Sequence, residues 1–169
     1  LRSAVVAGNP KKGSRTLDAA TRLAQEITGR APDTVVDVIT LGPGLLGWGD
    51  QAVSDAVRAV ASADLVVVAS PTFKATYSGV LKLFLDQFAT GDGLRGVVAV
   101  PLMLGAGPAH ALAPDVLLKP VLVELGAITP APGLYLRDST YTTDGAITGY
   151  TARWAPVLTA LSGTQRGET

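Results

Sequence analysis

The chain has 169 residues and no cysteine. Disulfides, zinc–thiolate sites and thiol catalysis are therefore excluded. It has one histidine, His110. No Ser-His-acid arrangement can be read around it, and no second imidazole suggests a metal site, so a structural or ligand-edge role is expected for it. A surplus of either charge is also missing: Lys plus Arg is 14 and Asp plus Glu is 14. A general nucleic-acid binder would show a basic surplus, so no nucleic-acid partner is expected. A small anion held by local positive charge stays compatible with this balance. No apolar run approaches the ~18 residues of a membrane span. No signal-peptide pattern precedes the first strand. A cytoplasmic protein without a membrane partner is expected.

What is present is a β-α pattern repeated along the chain. Strands are expected at Ser3 to Ala7, Thr34 to Leu41, Leu65 to Ala69, Gly96 to Val100 with an extension to Leu104, and Ala127 to Leu136. Pro101 removes a ladder donor, so a bulge or strand end is expected there. Helices are expected at Arg15 to Thr28, Gln51 to Ser62, Gly79 to Phe88, His110 to Leu125 and Thr148 to Leu161. The run Leu65-Val66-Val67-Val68-Ala69 lacks alternation, which suits a strand covered on both faces. The pattern predicts one α/β domain over 1–169, a doubly wound parallel sheet of five strands with helices on both faces. Residues 162–169 are expected to form a loose tail.

Pro114 and Pro120 lie inside the fourth helical pattern. Each lacks an N–H, so a kink or π-type bulge is expected near Val116. In the third helix, Val80, Leu83, Phe84 and Phe88 are expected to face inward, leaving Leu81 and Leu85 on another side. That surplus apolar surface predicts a homo-oligomer built on this helix.

In doubly wound sheets, ligands bind beyond the carboxyl ends of the strands. Three loops should meet there. The first reads Gly8-Asn-Pro-Lys-Lys-Gly-Ser14-Arg15-Thr16 between strand and helix. Helix-terminal N–H groups, two hydroxyls and the fixed fork of Arg15 suit a terminal monophosphate. It is not a triphosphate loop, because Ser14-Arg15 stands where Lys-Ser/Thr belongs. It does not spell the dinucleotide motif Gly-x-Gly-x-x-Gly. Gly42-Pro-Gly-Leu-Leu-Gly47 does spell it, but after the second strand and before a delayed helix. A mobile loop bordering a ligand or partner is the better expectation. The second loop, Ser70 to Gly79, carries Phe73, Tyr77 and Lys74; Phe73 suits the face of a flat heteroaromatic ring. The third, Gly105-Ala-Gly-Pro108, permits close backbone approach.

These stretches resemble the NADPH-dependent FMN reductase family. Gly8 to Thr16 is similar to its phosphate loop. Ser70-Pro-Thr-Phe-Lys-Ala-Thr-Tyr-Ser-Gly-Val-Leu-Lys-Leu-Phe-Leu-Asp86 is similar to its isoalloxazine loop and following helix. Gly105 to His110 and Leu118-Lys119-Pro120 match in position. The resemblance implies a flavodoxin-like fold with strand order 2-1-3-4-5, FMN as cofactor, and NADPH or NADH as co-substrate. It implies that Ser14, Arg15 and Thr16 hold the FMN phosphate, with Asn9 of the same loop also cofactor-binding. Pro71, Thr72, Phe73 and Lys74 would contact the flavin edge or face, and Gly105, Ala106 and Gly107 its pyrimidine side. A homodimer or homotetramer with the site at the subunit interface is implied, and in many members delivery of reduced FMN to a separate monooxygenase.

The flavin carries the chemistry, so no catalytic side chain and no metal are expected. Two other readings suit the same residues. One is a protein that retains FMN and reduces quinones, azo dyes or metal oxyanions. The other is a non-catalytic electron carrier like flavodoxin. Members resembling the alkanesulfonate-linked reductases carry Tyr where this chain has Val116. This difference predicts firmer retention of FMN here.

Overall fold

Strands β1 (Ser3–Ala7), β3 (Leu65–Pro71) and β4 (Val98–Gly105) are buried at every position. That is why their sequences do not alternate: helices cover both faces. In the computed structural model, which describes residues 1–164, they form the centre of a five-stranded sheet. Its order is β2-β1-β3-β4-β5, with β2 (Thr34–Asp37) and β5 (Leu134–Arg137) at the edges. Every neighbouring pair is parallel. This is the expected doubly wound, flavodoxin-like order.

Successive strand residues point to opposite faces. Val5, Val67, Val100 and Leu102 meet α1 (Arg15–Thr28) and α5 (Ala146–Thr164) on one side. Val6, Val66, Val68 and Met103 meet α2 (Gln51–Ala61), α3 (Gly79–Leu85) and α4 (Lys119–Glu124) on the other. Among the described residues, no helix is long and apolar enough to cross a membrane.

Helix α3 corrects the expected face. Leu81, Phe84, Leu85 and Phe88 enter the core, whereas Val80 and Leu83 are only partly buried. Leu81 and Leu85 are therefore not the surplus apolar surface expected on this helix. The cause is Gly8: a Cβ at that position would lie 2.2 Å from Leu81 Cβ. Helix α3 packs directly onto the end of β1, and the missing side chain makes room for it.

Several elements differ from expectation. β2 stops at Asp37 and passes into 3-10 turns over Val38–Leu46, kinked at Gly42 (φ 63°, ψ −146°). Val38, Ile39 and Thr40 leave the sheet although they are β-branched, and Thr40 Oγ1 donates to the Asp37 carbonyl at 2.7 Å in the turn that replaces the strand. β4 continues unbroken through Pro101, with no bulge, in register with Val68. Ala99 N–H donates to Ile128 on the β5 side, so alternation points the nitrogen of Pro101 that way too. β5 pairs with β4 only from Leu102 onward, and the missing donor falls in the gap. The expected strand from Ala127 starts only at Leu134. Before it, Asp115 Oδ1 accepts from Gly133 N–H at 2.8 Å, and Lys119 Nζ donates to the Ala131 carbonyl at 3.0 Å. Pro130 and Pro132 forbid continuous laddering in this stretch. Finally, Ser162–Thr164 belong to α5, not to a tail, and Ser162 is buried. The rest of the expected tail, 165–169, lies outside the described residues.

The fourth helical pattern divides into a 3-10 turn at Pro108–His110, a π-helical turn at Pro114–Leu118, and α4. The expected irregularity near Val116 is present. Pro120 cannot donate to the carbonyl of Val116, and the N–H of Lys119 reaches back five residues to Pro114. Pro120 itself sits at the start of α4, where a missing N–H is harmless.

Candidate functional site

Three loops meet at the carboxyl end of the sheet. The first is held by a polar scaffold. Ser14 caps α1, its Oγ accepting from Leu17 N–H at 3.2 Å. The side-chain carbonyl of Asn9 accepts from Lys11 N–H at 2.9 Å, which turns its amide toward Thr16, where Nδ2 donates to Oγ1 at 3.0 Å. Thr16 thus receives a hydrogen bond and keeps its own proton for another acceptor. Gly13, at φ +63°, donates its N–H to Asp37 Oδ2 at 2.9 Å. The second oxygen of Asp37 is buried with no partner among the described residues. Helix geometry leaves the N–H groups of Arg15 and Thr16 without intrahelical acceptors.

The second loop is clamped to the first through two buried serines. Ser78 Oγ donates to the Gly8 carbonyl at 2.5 Å and accepts from Leu81 N–H at 3.0 Å, capping α3. Ser70 Oγ accepts from Ser78 N–H at 2.8 Å and donates to the Pro71 carbonyl at 2.7 Å. Between them, Phe73 and Thr76 exchange both backbone hydrogen bonds, at 2.8 and 3.1 Å. The two residues of this tight turn, Lys74 and Ala75, have φ of 50° and 70°. Turns of this kind favour Asn and Gly. A lysine and an alanine in the left-handed region store strain at the tip of the loop.

The third loop is held by a residue the sequence reading passed over. Tyr135 Oη donates to the Gly107 carbonyl at 2.6 Å. Gly105 makes room for that hydroxyl, since a Cβ there would lie 1.9 Å from it. Thr72 N–H donates to the Leu104 carbonyl at 2.8 Å and joins the second loop to the third. Asp138 N–H donates to the Gly105 carbonyl at 3.0 Å, bringing the segment after β5 into the site.

A cavity of about 270 Å³ opens between these loops, lined by Asn9, Lys11, Ser14, Arg15, Thr16, Pro71, Phe73, Leu104 and Asp138. It gathers six of the expected residues: Asn9, Ser14, Arg15, Thr16, Pro71 and Phe73. Thr72, Lys74, Gly105, Ala106 and Gly107 stand on the adjoining loops and do not line it. The hydroxyl of Thr72 is buried without a partner among the described residues. Asp138 was not expected. Arg15 NH1 donates to its carbonyl at 3.2 Å, and Arg15 NH2 lies 3.7 Å from Oδ2. Behind this pair, Tyr141 Oη donates to Asp18 Oδ2 at 2.7 Å and ties the post-β5 segment to α1. Burial and this hydrogen bond push the Tyr141 phenol up to about 12. Burial pushes the Asp18 carboxyl up, but hydrogen bonds from Arg22 and Tyr141 outweigh it and hold the group below its ordinary value.

His110 lies outside the cavity. With Ala75, Val116 and Leu117 it borders a separate apolar hollow. Leu112 and Val116 beside it are 69% and 61% exposed. The Gly42 to Gly47 stretch also lies outside the cavity. A Cβ on Gly44 would meet the Asp50 side chain at 2.5 Å, and Asp50 caps α2 by accepting from Val53 N–H at 3.0 Å. Gly44 thus makes room for the residue that starts α2.

Comparison with known proteins shows the family. The NADPH-dependent FMN reductase family matches residues 1–141. An FMN reductase (NADPH) of Escherichia coli is 46% identical over 77 residues, 46% of this chain and 40% of that protein. The chain thus spans less than half the length of that relative. The NADH-dependent FMN reductase SfnF of Pseudomonas putida is 30% identical over 143 residues, 80% of this chain and 76% of that protein. The apo crystal structure of the NADH:FMN oxidoreductase EMOB superposes with a TM-score of 0.82 at 29% identity, covering 99% of this chain and 92% of that one. With the family's match running from β1 to beyond β5, this chain belongs to the NADPH-dependent FMN reductase family.

Proposed function

We propose that the protein is an NAD(P)H-dependent FMN reductase with the FMN phosphate seated in the cavity at the N-terminus of α1. The observation that carries this reading is the convergence of Arg15, Ser14, Thr16 and Asn9 on one cavity with Pro71 and Phe73. N–H groups, hydroxyls, a guanidinium and the Lys11 ammonium form a donor set suited to a phosphate. At about 270 Å³, the cavity is at the small end for small-molecule sites, roughly 300–1,000 Å³. It suits the phosphate end of the nucleotide. The ring then belongs on the rim, against Pro71 and the half-exposed Phe73, with Thr72 and Lys74 at its edge and Gly105, Ala106 and Gly107 on the pyrimidine side.

When bound, the flavin supplies the redox chemistry, accepting hydride from NADPH or NADH. The chain's own residues bind, orient and stabilise. Arg15 and the first turn of α1 fix the phosphate. Phe73 offers an apolar face. The backbone of Gly105 to Gly107, held by Tyr135, approaches without side chains in the way. No side-chain acid or base is required.

We place the reaction in the cytoplasm, where reduced nicotinamide is available, and extend the reading to delivery of reduced FMN to a separate flavin-dependent monooxygenase. We further propose a homodimer or homotetramer. Its contact surface is the exposed apolar rim formed by Phe73, Leu112, Val116 and Leu117, not α3. Val116, on that rim, lacks the ring and hydroxyl of a tyrosine, which favours FMN retention; Val116→Tyr should speed FMN release.

The test is oxidation of NADPH and of NADH with FMN added, and then with a quinone. Turnover that rises with added FMN supports the proposal. Turnover on bound FMN that needs only the quinone would favour a flavin-retaining reductase. No oxidation without a separate reductase would leave an electron carrier.

A further inference from the structure

The cavity contains a carboxylate where an incoming phosphate would require positive charge. Asp138 lines it beside Asn9, Ser14 and Thr16, and Arg15 contacts Asp138 through both terminal nitrogens. We infer, given that Arg15 serves the flavin phosphate as proposed above, that Asp138 is a competing internal anion that loosens FMN and sets how readily it exchanges.

The guanidinium fork presents its donors in fixed directions: NH1 is bonded to the Asp138 carbonyl and NH2 lies 3.7 Å from its carboxylate, so a phosphate in the same cavity would compete with the carboxylate for NH2. Asp138 cannot leave with its segment. Its N–H is bonded to the Gly105 carbonyl, and Tyr141 anchors the following residues to Asp18. The side chains of Arg15 and Asp138 are 65% and 32% exposed, so the pair is open to water and a phosphate can displace the carboxylate at modest cost. Once displaced, the carboxylate remains beside a phosphate that is close to doubly charged near neutral pH, and like charges at that range repel. Both effects act on FMN and neither acts on riboflavin. Asp138 thus discriminates between holding FMN as a fixed prosthetic group and handling it as an exchangeable substrate.

The test is to measure FMN and riboflavin dissociation constants by flavin fluorescence for the wild-type protein, Asp138→Asn, Arg15→Ala and the double variant. Asp138→Ala serves as a second substitution, since its backbone keeps the bond to Gly105. Asp138→Asn should tighten FMN about two- to fivefold, the scale of an exposed ion pair, and leave riboflavin unchanged. In the Arg15→Ala background the gain should shrink, because competition for the guanidinium is gone and only repulsion is relieved. FMN binding that weakens or stays the same in both Asp138 variants would overturn the inference and leave Asp138 as a support for Arg15. Equal affinity for FMN and riboflavin in the Asp138→Asn variant as well would instead overturn the phosphate reading itself.

Discussion

The two ends of the proposed site are built differently. At the proposed phosphate end, polar groups are already engaged within the chain: Asn9 with Lys11 and Thr16, Ser14 with Leu17, Asp37 with Gly13. At the proposed ring end, Phe73 is 46% exposed, the Lys74–Ala75 turn is strained, and Leu112 and Val116 are exposed in the irregular stretch before α4. Preorganised donors suit a small, rigid, highly charged group, because little ordering remains to be done on binding. An apolar, strained rim suits a flat surface and a second protein layer that covers it. In the proposed site, one end draws its donors from a single chain, and the other leaves an apolar surface for a ligand ring or a second subunit.

The largest expected effect breaks the link between the two ends. Gly8→Ala would drive a methyl group into Leu81, whose backbone Cα would lie 2.5 Å away. Overpacking of this kind should destabilise the fold by about 3 kcal/mol. Denaturant unfolding measures it, with an unshifted midpoint the contrary result. Next comes Arg15→Ala, aimed at the phosphate end alone. It should weaken FMN by about 1.5–3 kcal/mol, the scale of a hydrogen bond to a charged group, and leave riboflavin nearly untouched. Equal losses for both ligands in a titration would remove Arg15 from the phosphate site.

Two smaller effects address the ring end. Tyr135→Phe strands the Gly107 carbonyl and should cost about 1 kcal/mol. Hydrogen exchange should rise at the amides of Gly105, Ala106 and Gly107 and not in the Gly8 to Thr16 loop; uniform protection would show that Tyr135 does not hold the third loop. Ala75→Gly should be the mildest. Relief of a left-handed alanine returns about 1–2 kcal/mol, less about 0.5–1 kcal/mol for the extra freedom of glycine in the unfolded chain. A net gain centred on about 0.75 kcal/mol, within a range of about 0–1.5 kcal/mol, should appear as a raised melting temperature. A loss would mean that the turn is not strained.

Helix α1, with Ser14 before it and Gly29 after it, was legible because local capping chemistry sets both ends. The parallel sheet was legible because buried strands without alternation need two covered faces. The irregular turn near Val116 was legible because a proline without an N–H leaves few alternatives. In the site, Ser14, Arg15 and Thr16 could be read because they are contiguous at one helix start. Asp138 and Tyr135 could not be read. They come from the far end of the chain and reach the site only because β5 is the neighbour of β4.

By itself, then, the sequence determined the features that depend on nearest neighbours along the chain: caps, buried strands, proline breaks and the charge of the first loop. Tertiary structure decided what depends on neighbours in space. Five apolar residues, Val80, Leu81, Leu83, Phe84 and Leu85, stand almost side by side in α3, so periodicity alone could not select its inner face. The bare backbone at Gly8 selected it, because Leu81 fits only where no side chain stands. In the same way, no local pattern marks Asp138 as the counter-charge of Arg15. The pair exists because a parallel sheet delivers the ends of β1 and β5 to the same edge of the molecule, where opposite charges then meet.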